Sequence, residues 1–170
     1  MAAENTHREM IRSRSLPVLL CGFLLAVTAV SQTAVSEKDG SAEITLTNGT
    51  KTTVLKERGQ VGIGAAQIAP DGTVGWLVLY SIEGVSYPVA GTLITWRDGR
   101  IIKRFDSKQT FYSWTFEAKG KQVAYHAGPL HGEAKSHCEL HDSRSGRLLA
   151  AWDGDLQSAS KPAWTNRLSH

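Results

Sequence analysis

The chain has 170 residues and a formal net charge of +3, from 19 Lys and Arg against 16 Asp and Glu. Its length predicts a single domain. The basic residues do not cluster into the stripe that is typical of nucleic-acid binders, so no nucleic-acid partner is predicted.

Residues 1–31 have the pattern of a helical signal peptide. A positively charged stretch precedes an apolar segment at 16–30, and its arginines are Arg8, Arg12 and Arg14. The apolar segment is shorter than the roughly 20 residues that span a bilayer. Small residues predict cleavage after Ser31 or Ser36, and Met10 is an alternative start. The sequence therefore predicts a secreted or periplasmic protein with no stable membrane span once the signal is removed.

The cysteines predict a mature chain without an internal disulfide, because Cys21 lies in the signal and Cys138 is then alone. A free buried cysteine is more often a small hydrophobic residue than a nucleophile. No catalytic thiol is therefore predicted.

After a small and polar segment at 32–42, predicted to be a disordered lead-in, the chain reads as antiparallel β-strands. Residues 43–55 predict a hairpin with its turn at Asn48–Gly49. Four strands follow at 61–69, 74–80, 92–97 and 101–105, and four more at 111–116, 122–126, 137–141 and 148–152. Lys103 and Arg104 suit an edge strand, where charge discourages pairing with other chains. Structural turns are predicted at Gly49, Asp71, Gly72, Gly99, Gly120 and Gly146.

The strands recur at a regular spacing. Gly72 and Gly120 are 48 positions apart, and Gly99 and Gly146 are 47 apart. Each unit has four antiparallel strands, the content of one propeller blade. The β-repeat domain is predicted over 43–155 and a C-terminal tail over 156–170, with the strand near Trp164 beginning another unit.

Two motifs carry a family resemblance. Trp114-Thr-Phe-Glu-Ala-Lys-Gly-Lys-Gln-Val-Ala-Tyr125 resembles the Trp-Ser-Pro-Asp-Gly-Lys-x-Ile-Ala-Phe blade motif of TolB-type and prolyl-oligopeptidase-type β-propellers. Leu140-His-Asp-Ser-Arg-Ser-Gly-Arg147 is similar to a hairpin of that group and of WD-repeat proteins. Glu117-Ala118-Lys119 departs from the motif, which has Ser-Pro-Asp before the glycine. The resemblance implies an all-β, propeller-like chain of about two and a half blades, whereas closed propellers have about four to eight. A β-sandwich is the alternative.

An incomplete array predicts uncovered outer faces, with apolar residues such as Leu77, Leu79, Ile94, Ala124 and Leu148. Three arrangements would cover them. The N-terminal hairpin and the strand near Trp164 jointly supply an incomplete third unit, copies associate into a homo-oligomer, or the strands fold as a sandwich. The first is favoured.

One strand carries candidate metal ligands. His137, Glu139 and His141 alternate, so a strand places them on one face, with Cys138 on the other. Zinc accepts such ligands, and His126 or His131 would add a fourth. Strand positions two apart are about 6.5 Å from each other, which is wide for chelation. A solvated polar face on an outer strand is therefore the preferred interpretation, and no cofactor is predicted.

Five tryptophans suit either a blade core or a platform for a carbohydrate or peptide: Trp76, Trp96, Trp114, Trp152 and Trp164. The core is preferred for the first four, and Trp164 is expected to be exposed or to seal a neighbour.

The sequence as a whole predicts a non-enzymatic binding or scaffolding domain that is exported. Its partner would be a protein, a small molecule or a carbohydrate. The alternatives are a metal-binding domain that uses the histidine strand, and a detached non-catalytic propeller fragment of a larger secreted enzyme.

Overall fold

The structure, a computed structural model, describes residues 32–131 and 136–168. The described residues form three antiparallel sheets, and the sequence-based assignment to the all-β class is confirmed. Sheet A contains β1 (Gln32–Lys38), β2 (Ser41–Leu46) and β3 (Lys51–Val54). Sheet B contains β4 (Gln60–Ile68), β5 (Val74–Tyr80), β6 (Val89–Arg97) and β7 (Arg100–Asp106). Sheet C contains β8 (Thr110–Glu117), β9 (Gln122–Gly128), β10 (Ser136–Asp142) and β11 (Leu148–Gly154).

In each sheet the strands lie side by side in chain order, so sheets B and C are two four-stranded meanders. Lys103 and Arg104 lie on β7, an edge strand of sheet B. Two short 3-10 helices, Ala118–Gly120 and Ala163–Thr165, complete the described secondary structure. Neither of these helices is long or apolar enough to cross a membrane. The predicted signal peptide lies outside the described residues.

The prediction of a disordered lead-in at 32–42 is wrong. These residues form β1 and the start of β2, joined by a turn in which Asp39 and Gly40 have φ values of 51° and 76°. Positive φ at both residues suits the two-residue hairpin turn that Asp-Gly favours. The sequence of β1 shows no alternating apolar pattern, because Val35, which packs on the core between sheets A and B, is its one large apolar residue.

Three layers of apolar side chains alternate with the sheets. The first lies between sheets A and B and includes Ile44, Val74, Trp76, Val78 and Ile94. The second lies between sheets B and C and includes Leu77, Leu93, Phe105, Trp114 and Tyr125. The third lies between sheet C and the C-terminal segment and includes Ala124, Cys138, Leu140, Leu156 and Leu168.

These layers cover most of the faces that the sequence predicted to be left open. Sheet A covers Ile94, sheets B and C enclose Leu77, and the C-terminal segment covers Ala124. Leu148 remains exposed on β11. The N-terminal hairpin and the C-terminal segment thus lie against different sheets, and they do not form one joint unit.

The C-terminal segment seals sheet C without a further strand. Trp164 lies in a 3-10 helix, so the predicted strand there is wrong, and its half-buried ring packs on the third core layer. Pro162, with no N–H to give to a ladder, stands directly before this helix. Leu168 is fully buried, and its carbonyl accepts a hydrogen bond of 2.7 Å from Ser113 Oγ.

The outward face of sheet A is polar. Ala42 and Ile44 point into the first core layer, so Glu43 between them points away from it. The Glu43 carboxylate lies 2.7 Å from Lys51 Nζ and 3.5 Å from Lys38 Nζ, and these hydrogen bonds lower its pKa despite its burial. A polar outer face is what a terminal unit of a repeat array requires.

The two ends of the sheets differ in their connections. Short glycine turns join the strands at one end, here named the turn end, and Gly49, Gly72, Gly99, Gly120 and Gly146 all have positive φ there. The other end, here named the loop end, holds the two longest connections, at 81–88 and from Pro129 to the start of β10, together with shorter ones at 55–59 and 107–109 and the two-residue turn at Asp39–Gly40. Binding residues are disproportionately found on loops that a rigid scaffold positions.

Candidate functional site

Sheet C carries a cluster of polar side chains on the face that packs against sheet B. Strand alternation puts His137, Glu139 and His141 on one face, as predicted, and it is this face, beside Tyr125 of β9, that is turned toward sheet B. Asp153 of β11 pairs with His137 across the next ladder. These five residues are here named the histidine cluster.

A continuous run of hydrogen bonds joins the histidine cluster. His137 Nδ1 lies 2.6 Å from Asp153 Oδ1, and His137 Nε2 lies 2.9 Å from Glu139 Oε1. The other Glu139 oxygen lies 2.6 Å from His141 Nε2 and accepts a hydrogen bond from the Tyr125 hydroxyl. His141 Nδ1 donates to the Gly146 carbonyl at 3.0 Å.

His137 is held between two carboxylates. Hydrogen bonds to Asp153 and then Glu139 raise its pKa, because both stabilise a ring that donates from both nitrogens. Burial alone would raise the pKa of Glu139, but hydrogen bonds from Tyr125, His137 and His141 outweigh it and leave that pKa lowered. Burial, followed by the bond to Glu139, raises the pKa of Tyr125. The cluster therefore favours a charged His137 beside a charged Glu139.

The inner part of the cluster is enclosed by aromatic rings, so the predicted solvated face is wrong for this part. The His141 ring stacks on Tyr125 at 5.4 Å between centroids and meets the edge of Phe105 at 5.2 Å. The His141 side chain is only 11% exposed, against 35% for His137. Solvent thus reaches the cluster mainly at His137 and Asp153.

The two other histidines considered as ligands do not join this cluster. His126 pairs with Cys138 and lies on the opposite face, 5.1 Å from the Tyr112 ring. His131 is exposed in the connection after β9. Across residues 32–131 and 136–168, no group of three His, Cys, Asp or Glu side chains is placed to hold a metal ion. Both ring nitrogens of His137 and of His141 already meet hydrogen-bond partners.

Cys138 lies on the face opposite the cluster and is fully buried in the third core layer, as the alternation predicted. Burial, with a smaller effect of the Asp153 charge, raises the pKa of its thiol to about 11. The thiolate that a nucleophile needs is therefore scarce at neutral pH.

The tryptophans are core residues and do not form a platform. Trp76, Trp96 and Trp114 are each at most 3% exposed, and Trp114 Nε1 donates to the Ala65 carbonyl at 2.8 Å. Trp152, like Trp164, is half-buried against the third core layer. Among the residues that the structure describes, the exposed aromatic side chains are instead tyrosines of the loop end, at 53% for Tyr87 and 46% for Tyr112. Tyr87 stands alone in its connection, so no periodic pattern in the sequence marks it.

A small recess opens at the loop end between sheets B and C. Its volume is about 150 Å³, and it is here named the loop-end cleft. Its apolar walls include Ile82, Val89, Ala90, Pro129 and Leu130. Its polar part includes Lys108 and Thr110, and Lys108 is the one charged residue among the described residues of its lining.

A wider cleft of about 690 Å³ lies at the same end of sheet A, between the β1–β2 turn and the β3–β4 connection. Lys38, Asp39, Lys56 and Leu55 line it. Leu55 is 89% exposed, so this cleft is open to solvent and has little apolar wall to enclose a ligand.

No protein-family model matches the chain, and no curated protein matches it at a significant level of similarity.

Proposed function

We propose that this chain is an exported, non-enzymatic binding module of propeller-like β-repeats, which presents its ligand site at the loop end. The asymmetry between the two ends of the sheets carries the proposal. Turns of two to five residues close one end, whereas the other end holds the two longest connections and the loop-end cleft. A rigid stack of sheets that holds variable connections at one end is a common design for binding.

Exposed apolar side chains support the loop end as the binding surface. Ile82 is 43% exposed and Tyr87 is 53% exposed, and both lie in the connection at 81–88. Apolar and tyrosine side chains that protrude beside a recess are typical of interaction surfaces. The hydrogen bonds of the histidine cluster all join residues of sheet C, and His141 meets sheet B through the Phe105 ring, so the cluster supports a structural role and not a binding one.

Peptide and glycan arrays test this proposal with two matched variants. The double variant Ile82→Ala, Tyr87→Ala alters the loop end. Ile101→Ala serves as the control, because Ile101 is 41% exposed on β7, next to the turn at Asp98–Gly99. We expect an array ligand that the control retains and the double variant loses. A ligand that both variants retain, or no array ligand at all, would contradict the proposal.

A further inference from the structure

We propose that the turn end of sheets B and C docks on the surface of an anionic lipid bilayer through five exposed cations. They are Arg100, Lys119, Lys121, Arg144 and Arg147, here named the basic turn face. This end lies opposite the proposed ligand site, so the inference adds a second surface and does not depend on the first. Docking in this way leaves the loop end directed away from the membrane.

The two ends of the sheets differ in charge. The connections of the turn end, each with its two flanking strand residues, hold seven Lys and Arg against four Asp and Glu, an excess of three positive charges. The described connections of the loop end, counted in the same way, hold four Lys and Arg against four Asp and Glu. Positive charge is therefore concentrated at the turn end.

The acidic side chains of the turn end are held within the fold, whereas the cations are free. Asp71 pairs with Arg97 at 2.8 Å, and Glu117 lies 3.5 Å from Arg167 Nη1. Asp142 accepts hydrogen bonds from backbone N–H groups of its own turn. No cation of the basic turn face forms an ion pair within 4.0 Å of a described residue, and all five are exposed. They are therefore available to an external anionic surface.

Contacts between the turns bring these cations onto one surface. Ser143 Oγ donates to the Gly120 carbonyl at 2.7 Å, and the Ser143 N–H donates to the Lys121 carbonyl at 3.0 Å, which joins the two turns of sheet C. Thr95 Oγ1 of sheet B donates to the Ser143 carbonyl at 3.4 Å. The cations come from three turns spread over residues 100–147, so the sequence alone shows no basic stripe.

Exposed aliphatic side chains flank the basic turn face. Ile101 and Leu148 directly follow Arg100 and Arg147 in the chain, and they are 41% and 51% exposed. Leu149, the next residue of β11, is 37% exposed. Binding to an anionic membrane gains both from cations that are attracted to the headgroups and from apolar side chains that enter the boundary of the bilayer. The turn end offers both kinds of group side by side.

Other polyanions fit the turn end less well. Proteins that bind single-stranded nucleic acids use aromatic side chains on which the bases stack. The exposed aromatic residues of the described chain, Tyr87 and Tyr112, lie at the loop end instead. A soluble acidic polymer offers Leu148 and Leu149 no apolar surface to bury against. A lipid bilayer supplies both the anionic headgroups and the apolar interior.

Vesicle co-sedimentation tests the inference with the form of the protein that begins at Gln32. This form contains every described strand and lacks the apolar segment at 16–30, which would itself bind lipid. Vesicles of phosphatidylcholine and phosphatidylglycerol in equal parts are compared with vesicles of phosphatidylcholine alone. We expect binding to the anionic vesicles at about 50 mM salt that about 1 M salt removes, because salt screens exposed charges. Equal binding to both kinds of vesicle, or no binding to the anionic vesicles at the lower salt, would overturn the proposal.

Two matched double variants place the bilayer at the turn end. Lys121→Gln with Arg144→Gln removes two charges from the basic turn face, and Lys56→Gln with Arg58→Gln removes the same two residue types from the loop end. The first is expected to weaken binding to anionic vesicles at least about tenfold, and the second less than about threefold. Equal losses would show that net charge alone drives binding and would contradict docking by the turn end. Thermal melting of both variants separates loss of binding from loss of the fold.

Retention on heparin–agarose distinguishes a bilayer from a soluble polyanion. The double variant Leu148→Ala, Leu149→Ala is expected to weaken binding to anionic vesicles about threefold or more and to leave heparin retention unchanged, because only a bilayer receives the leucines. Vesicle binding that this variant retains in full would replace the bilayer by a general polyanion as the partner. Vesicle binding is measured independently of the arrays that test the loop end, so the two proposals can fail separately.

Discussion

His137 lies directly opposite Asp153 on the β10–β11 ladder, and the two side chains join at 2.6 Å. The corresponding ladder of sheet B, between β6 and β7, pairs Thr92 with Asp106 near the same end, and Thr92 Oγ1 donates to Asp106 at 2.9 Å. A donor opposite an aspartate thus recurs near the loop end of both four-stranded sheets. In sheet C the donor is an imidazole, which makes the contact dependent on pH.

The free energy of unfolding should be greatest between about pH 4.5 and pH 6.5. In the folded protein the pKa of His137 is raised above 6.5. The stabilisation that His137 contributes to the fold is therefore fully present below pH 6.5 and is lost as the pH rises through the pKa of the folded state. In the folded protein the pKa of Glu139 is lowered below 4.5. The stabilisation that Glu139 contributes to the fold is therefore fully present above pH 4.5 and is lost as the pH falls through the pKa of the folded state.

Urea unfolding from pH 3 to pH 9 measures both effects. His137→Gln should flatten the decline above pH 6.5 and retain the decline at acid pH. If the free energy of unfolding of His137→Gln falls above pH 6.5 as steeply as that of the unsubstituted protein, His137 is not the cause of the fall.

Gly120→Val should destabilise the protein more than Gly128→Val. Gly120 has a φ of +98°, and a Cβ there would overlap the Asp71 carboxylate and the Ala69 side chain. At Gly128, where φ is not in the strained positive range, a Cβ would meet the exposed Tyr112 ring at 2.7 Å, and that ring can move. A difference of about 1–3 kcal/mol is expected from the backbone strain. Equal melting temperatures of the two variants would show that backbone strain at Gly120 does not decide the loss of stability.

Leu168→Ala should destabilise the fold by about 2–5 kcal/mol, the usual cost of emptying a buried leucine site. Leu168 is fully buried against sheet C, whereas Leu149 is 37% exposed on the edge strand. Leu149→Ala is therefore the matched control and should change the melting temperature little. Truncation after Gly154 should lower the melting temperature more than Leu168→Ala does. An unchanged melting temperature of the truncated protein would show that the C-terminal segment does not stabilise sheet C.

Purified protein should contain no stoichiometric zinc. The ring nitrogens of His137 and His141 already meet carboxylate or carbonyl oxygens, and a metal would have to displace these hydrogen bonds. Elemental analysis measures the content directly. Stoichiometric zinc that disappears in the double variant His137→Ala, His141→Ala would reverse this expectation.

The exported chain should begin at Gln32. Both Ser31 and Ser36 precede predicted cleavage points, but β1 starts at Gln32, which pairs with Leu46. Cleavage after Ser36 would remove most of β1 together with Val35, whose side chain packs on the first core layer. Mass spectrometry of the exported protein distinguishes the two, and a mass that begins at Glu37 would contradict the structural argument.

The sequence predicted the strands of sheets B and C well because their inward residues alternate and their turns contain glycine. Trp114 and Phe116, which alternate along β8, are examples, and both are buried. It also placed His137, Glu139 and His141 on one face, because alternation follows from strand geometry alone.

The sequence does not predict the features that tertiary contacts decide. It treated β1 as disordered because a strand that adds one large apolar side chain to the core has no visible pattern. It described the face of His141 as solvated, whereas the Phe105 ring that covers it comes from another sheet. The loop-end cleft joins residues from three connections, and no local pattern predicts such a meeting.

The polar outward face of sheet A also restricts how such a chain could lengthen by duplication. A sheet added outside sheet A would bury Glu43 and its lysine partners, and removing these charges from water is unfavourable. A duplicated four-stranded unit inserted between sheets B and C would instead meet apolar surface on both sides. Longer relatives of this architecture are therefore expected to gain whole sheets in the interior of the stack, with the β1–β3 sheet kept at its amino-terminal side.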